Sequence, residues 1–290
     1  MIAAQLLLNA LALGMAYALI ALGFVLALNA AGAVNFAHGD LVVLGGAVAV
    51  LAGLWTGLPG PLLLPIVALV LGATGILAAR IAIQPLAARP PEATFVATIA
   101  LAAIIEQGLT VGLGAAPLTA PPFAGSGTID IGGLALGRQP LAILAVGAVL
   151  VAAVWFLLER TQLGRRMRAV SSDRYMARAV GIPVGRYVML SLALAGALAG
   201  VAGFLLGHQF LVAPTQGAGH MLKAYIAVAI GGWGSVPGAL LGALGIGLFE
   251  TFVSAAVGDA WASAALYVAV LAVLVLRPQG LFGEPVGRRA

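Results

Sequence analysis

What most constrains this chain is the recurrence of apolar runs close to 20 residues long, the length an α-helix needs to cross the hydrocarbon core of a bilayer. They fall at roughly 6–28, 38–55, 61–83, 93–113, 139–158, 188–212, 221–233, 235–257 and 261–276. The run 221–233 is short and ends in Gly231-Gly232-Trp233-Gly234, which reads as a broken or re-entrant segment. The expectation is an all-α, polytopic transmembrane helix bundle of about eight or nine spans, forming a single membrane domain over 1–290. Charged residues make up 8% of the sequence, against about 25% in a typical soluble domain, too few to cover a water-exposed surface of this size. The first 28 residues are apolar without a basic start and too long for the core of a cleaved signal, so they read as a retained first helix.

The cations are not spread along the chain. Twelve of the 14 Lys and Arg residues lie in three segments: Arg80 and Arg89; Arg160, Arg165, Arg166, Arg168, Arg174, Arg178 and Arg186; and Arg277, Arg288 and Arg289. If every run crosses, all three fall on one side, which the positive-inside rule makes cytoplasmic. The N-terminus is then outside, and the opposite loops hold Asp130, Asp259 and a single cation, Arg138. The formal charge of +5 is therefore a topology signal, with contacts to lipid phosphate at most, and not a nucleic-acid footprint.

Several chemistries are excluded. The chain has no cysteine and only three separated histidines, which offer no metal-binding pattern. It has no Gly-x-x-x-x-Gly-Lys-[Ser/Thr] loop for nucleotide phosphates, and no Gly-x-Ser-x-Gly or His-Glu-x-x-His. No catalytic residue is expected. If the chain takes part in energised transport, the energy comes from an ion gradient or a partner protein.

Three segments carry information. In Asn29-Ala-Ala-Gly-Ala-Val-Asn-Phe-Ala-His-Gly-Asp40, polar residues and glycines separate two apolar runs. This is either a plain turn with Asn and Asp as local caps or a helix break at membrane depth, which frees backbone groups for a substrate or ion. In Leu163–Ile182 a helix begins near Ser172-Asp173 and stops at Gly181, before Pro183. It is either a basic segment that fixes topology or a surface helix that docks a soluble partner. In Gly219–Gly242 a lone Lys223 precedes a glycine-rich break. Ionisable residues inside spans are paired or functional, so Lys223 and Glu250 are expected to pair, with direct substrate contact the sharper alternative. The stripes Gly196-xxx-Gly200, Gly203-xxx-Gly207 and Gly238-xxx-Gly242 suit close helix packing, although such stripes also line pores.

Together these residues resemble a known family. Asn35-Phe-Ala-His-Gly-Asp40, the Gly164–Ile182 stretch, the Lys223–Glu250 stretch and Arg277-Pro-Gln-Gly-Leu-Phe-Gly283 are similar to the LivH-type permease subunit of branched-chain amino acid ABC importers, over nearly the whole chain. Glu106-Gln107 departs from the family's usual Gln followed by a polar residue and puts an extra acid in a span. The resemblance implies a bacterial inner-membrane, multi-pass permease for branched-chain or related small amino acids. It implies a second homologous permease subunit, two cytoplasmic ATPase subunits that hold the ATP, and a periplasmic substrate-binding protein, with no cofactor on this chain. The substrate pathway would involve Asn29, Asn35, Phe36, His38, Gly39 and Asp40. The coupling segment, about 159–187, would engage an ATPase through Arg165, Arg166, Met167, Arg168, Asp173, Ala177 and Gly181, with an apolar face around Met167, Val170, Met176 and Val180. From another class, an ion-coupled secondary carrier would work alone and use Glu106, Glu250 or His38 to carry protons or sodium.

Overall fold

A computed structural model describes residues 2–87, 89–131, 134–277 and 279–282. The tail's Arg288 and Arg289, and Gly283 of the last motif, lie outside the described residues. The helices are α1 (Ile2–Ala31), α2 (His38–Thr56), α3 (Gly60–Ala78), α4 (Pro91–Leu113), α5 (Arg138–Arg160), α6 (Gln162–Ser172), α7 (Arg174–Ala179), α8 (Val184–Leu206), α9 (Gly217–Gly231), α10 (Val236–Val257) and α11 (Asp259–Leu276). Among the described residues, eight helices are long and apolar enough to cross a membrane; α6, α7 and α9 are not among them. A short hairpin, β1 (Thr128–Ile131) with β2 (Leu134–Gly137), fills part of the α4–α5 connection.

The 30-residue α1 is the axis of the bundle. At 1.5 Å per residue it spans about 45 Å, more than a bilayer core. It packs against α5, α8, α9 and α10, while α2 and α3 close on α8. Small residues set these spacings: a Cβ on Gly14 would meet Leu244, one on Gly45 would strike the Gly200 backbone, and one on Gly242 would strike Ala227. The stripe from Gly196 to Gly203 lies against α3 and α2, which is the packing use of such spacing.

Two segments break the regular crossing pattern. After α1 ends, Gly32 turns the chain at φ 67° and residues 33–37 run back alongside α1. α2 therefore starts at His38 level with Ile20, whose carbonyl it meets, eleven residues or about 16 Å up α1 from Ala31. The second break comes after α8. The apolar run 188–212 reads as one helix, but the helix stops at Leu206 and the chain turns, with Gln209 and Phe210 N–H donating to the Leu206 carbonyl. Here Val212 bridges Leu118 and Leu211 takes a left-handed φ of 61°. Val212 fills the space beside Gly46 and Gly207, which a continuing helix could not do.

α9 then begins at Gly217 and has only 15 residues, about 22 Å. Its first turn lies against the first turn of α2: a Cβ on Gly39 would strike the Gly217 carbonyl and Met221. Two helices thus start beside each other inside the bundle, and the short run near 221–233 is a half-helix. Irregular backbone at this depth must be satisfied by protein. Ala120 N–H donates to the Gly207 carbonyl, Gln139 Nε2 donates to Leu205 O at 2.9 Å, and Gln139 Oε1 accepts from Phe123 N.

Candidate functional site: a helix break, an intramembrane ion pair and a basic face

The break before α2 is built by its own polar residues. Asn35 Oδ1 accepts from Ala37 N at 3.2 Å, and His38 N donates to the Asn35 carbonyl. Phe36 N donates to Thr98 Oγ1 of α4, and the Phe36 ring stands edge-on to Phe95, with centroids 5.7 Å apart. His38 is fully buried, with Nε2 2.9 Å from the Ile20 carbonyl. A carbonyl oxygen only accepts, so Nε2 carries the proton and Nδ1 presents a lone pair. That Nδ1 has no hydrogen-bond partner among the described residues. Asp40 is buried against Gly217 at the start of α9, within electrostatic reach of Glu106 on α4.

The structure therefore brings Asn35, Phe36, His38, Gly39 and Asp40 together where the starts of α2 and α9 meet. Asn35, His38 and Asp40 point into protein, whereas Phe36 is exposed. Asn29 lies apart from them, at the last turn of α1, where its Nδ2 donates to the Gly234 carbonyl at 3.0 Å.

Lys223, Glu250 and Tyr17 form a closed ring. Lys223 Nζ donates to Glu250 Oε1 at 2.6 Å and to Tyr17 Oη at 2.6 Å, and Tyr17 Oη donates to Glu250 Oε2 at 2.9 Å. The ion pair joins α9 to α10, and Tyr17 ties both to α1. Sequence reasoning missed Tyr17. Its only signal was a hydroxyl in an otherwise apolar stretch of α1, which does not name a partner.

The basic segment folds as two short helices rather than one. Thr161 caps α6 by accepting from Gly164 N, and Asp173 Oδ1 caps α7 by accepting from Tyr175 N at 2.8 Å and Met176 N at 2.9 Å. Gly181, at φ 79°, provides the turn after α7. Arg165, Arg166, Arg168 and Arg178 face outward; Arg166 Nη1 donates to Tyr187 Oη and Arg168 pairs with Glu159.

The apolar residues of this segment divide. Met167, Val170 and Ala177 are buried within this chain, while Tyr175, Met176 and Val180 are exposed. The small size of Ala177 thus seats α7 on its own protein, and the free apolar surface is Tyr175-Met176 with Val180. Arg174, which the sequence offered only as one more cation, reaches inward to the Ala30 carbonyl at 2.5 Å. Burial, and secondarily the charge of Arg178, hold its pKa below the ordinary arginine value.

Eight helices long and apolar enough to cross a membrane, two helices that begin inside the bundle and a cationic face at one end make this a multi-pass membrane protein. The chain belongs to the family described as branched-chain amino acid transport system permease component, matched over residues 6–276. It is 29% identical to the high-affinity branched-chain amino acid transport system permease protein BraD of Pseudomonas aeruginosa, covering 97% of this chain and 96% of that one. It is 28% identical to LivH of Escherichia coli K12, covering 96% and 94%, and 28% identical to the ribose import permease RbsC of the same organism, covering 80% and 73%. PsaBC of Streptococcus pneumoniae, solved in complex with Fab, shares the fold with a TM-score of 0.50 and 15% identity, covering 92% of this chain and 89% of that one. The chain is a transport permease and not an enzyme, as its family is.

Proposed function

We propose that this chain is the membrane-spanning permease subunit of an ATP-driven importer in the bacterial inner membrane, carrying branched-chain or related small amino acids. Two cytoplasmic ATPase subunits bind and split ATP, and a periplasmic binding protein delivers the cargo. The observation that carries the reading is the meeting of α2 and α9 at their N-termini, Gly39 against Gly217, inside a chain with no nucleotide loop of its own. Helices that begin inside a membrane mark transport sites, their N-termini carrying a positive dipole end, and here the Asp40 carboxylate lies against the start of α9. The break residues Asn35, His38, Gly39 and Asp40 hold that geometry, Asn29 fixes the end of α1, and Phe36 is the member free to touch cargo.

The basic segment serves as the coupling surface. Positive-inside charge puts it in the cytoplasm. Arg165, Arg166, Arg168 and Arg178 orient an ATPase, Asp173 and Gly181 bound the helix it meets, and Met167 and Ala177 seat that helix on the bundle. A second permease completes the path, and α4 is the helix that calls for it. Only 6% of its most apolar window is buried, yet it carries Glu106 and Gln107 within the span. Such residues face protein or a water-filled cavity, not lipid.

Affinity purification of this chain from cells expressing the neighbouring transport genes tests the assignment. Two ATPase subunits and a second permease should come down with it, and Met176→Glu with Val180→Glu should release the ATPases. Purification of the chain alone from such cells would contradict the proposal.

A further inference from the structure

We propose that Arg174 is the positioning residue that transmits movement of the coupling segment to α2 and α9, by holding the last turn of α1. This rests on the reading of α6–α7 as the surface where an ATPase pushes.

The cap at Asp173 takes two backbone N–H groups of α7, so Arg174 leaves from a rigid first turn. Its Nη2 donates to Ala30 O at 2.5 Å. That carbonyl is one of the last in α1 and has no partner within its own helix. Gly32 closes the same turn, donating its N–H to Leu28 O at 2.8 Å, in the left-handed conformation of a helix C-cap. The guanidinium lies over Gly32, where a Cβ would stand 3.1 Å from Nη2, so glycine leaves room for the arginine as well as supplying the turn.

The connections on either side of this turn give the contact its meaning. Beyond Gly32 the chain runs through residues 33–37 and enters α2 at the break. One residue before Ala30, Asn29 holds the Gly234 carbonyl of the α9–α10 connection. The end of α9 is also held by Leu281 and Phe282, whose N–H groups donate to Ile230 O and Gly231 O. A single turn of α1 thus gathers α7, the approach to α2 and the exit from α9. Tyr175, Met176 and Val180 face outward on the same short helix and its end. A push on that patch is delivered through Arg174 to α1, and from there to α2 and α9. Arg166 and Arg168 end on Tyr187 and Glu159 and do not reach this turn.

The test uses the full complex of this chain with its permease, ATPase and binding-protein partners, reconstituted in liposomes. Arg174→Gln should keep the ATPase subunits bound and basal hydrolysis running, while stimulation by loaded binding protein and uptake both fall roughly tenfold or more. Arg174→Lys, which keeps a charged donor, should recover part of both. Spin labels at Phe36→Cys and Ala179→Cys, in a chain with no cysteine of its own and with cysteine-free partner subunits, give a readout that simple loss of stability would not. Their separation should hold on ATP addition in the native complex and change in the Arg174→Gln complex. Uptake by Arg174→Gln close to native would overturn the link and leave the docking reading standing. Loss of the ATPases from that variant would make Arg174 a docking residue, which also overturns the link. Retention of the ATPases by Met176→Glu with Val180→Glu would overturn the docking reading and this inference with it.

Discussion

α1 and α4 have the same class of composition and opposite surroundings. Both have a window apolar enough to cross a membrane, yet 83% of the first is buried and 6% of the second. Each carries glycine. In α1 a Cβ on Gly14 would meet Leu244, whereas Gly108 and Gly112 in α4 have nothing within 4 Å of where a Cβ would stand. Each also carries polar groups. Tyr17 in α1 is committed to Lys223 and Glu250, while Glu106 is half-buried and Gln107 exposed on α4. Hydropathy therefore says that a helix enters the membrane and not what it meets there. The committed helix organises one subunit, and the uncommitted one is suited to a partner or a path.

The largest expected effect breaks the committed side. Removing one member of this part-buried pair leaves the other charge stranded within a span, at about 3 kcal/mol. Lys223→Ala should therefore lower folded yield and thermal stability sharply, and Lys223→Ala with Glu250→Ala should do less harm than the two singles added. Glu106→Ala, on the uncommitted helix, should stay within about 1 kcal/mol of native in the isolated chain, in line with substitutions away from packed features. Equal losses from Lys223→Ala and Glu106→Ala, by thermal unfolding in detergent, would remove the distinction.

A second pair of variants sharpens it. Gly45→Leu must push α2 off the Gly200 backbone, and forced overpacking destabilises by about 1–3 kcal/mol or more. Gly112→Leu has open space and should leave the isolated chain's melting unchanged, its effect appearing only in assembly with the second permease. The smallest expected effect concerns exposure alone. A cysteine at Gln107 should react readily with a membrane-permeant maleimide in the isolated chain and slowly in the assembled complex. Equal rates in both would leave α4 facing lipid.

Much of the fold was legible in the sequence because span length and charge clustering are one-dimensional signals. The long spans and the short run at 221–233 derive from the first of these. The end of α8 did not. Gly207-His208-Gln209 marks a break that the long apolar run on either side outweighed, and contact with Gly46 and Leu118 places Val212 after it. The additional helix α6 was hidden because its arginines mask the inward stripe of Met167 and Val170. At the candidate site, Lys223 and Glu250 stood out as lone charges in spans. Tyr17 did not, since one hydroxyl in a long helix has no spacing to read. The small size of Ala177 was visible and its direction was not. Arg174 was one of seven arginines in its segment until the Ala30 carbonyl set it apart.

We propose a path whose movement is driven from outside the chain. Proteoliposomes carrying the chain with its permease and ATPase partners, loaded with ATP and supplied with binding protein outside, measure that with radiolabelled leucine. Accumulation should need ATP, all partners and the native coupling segment, and should be absent when this chain alone is given only a proton or sodium gradient. Accumulation by the chain alone under such a gradient would contradict it.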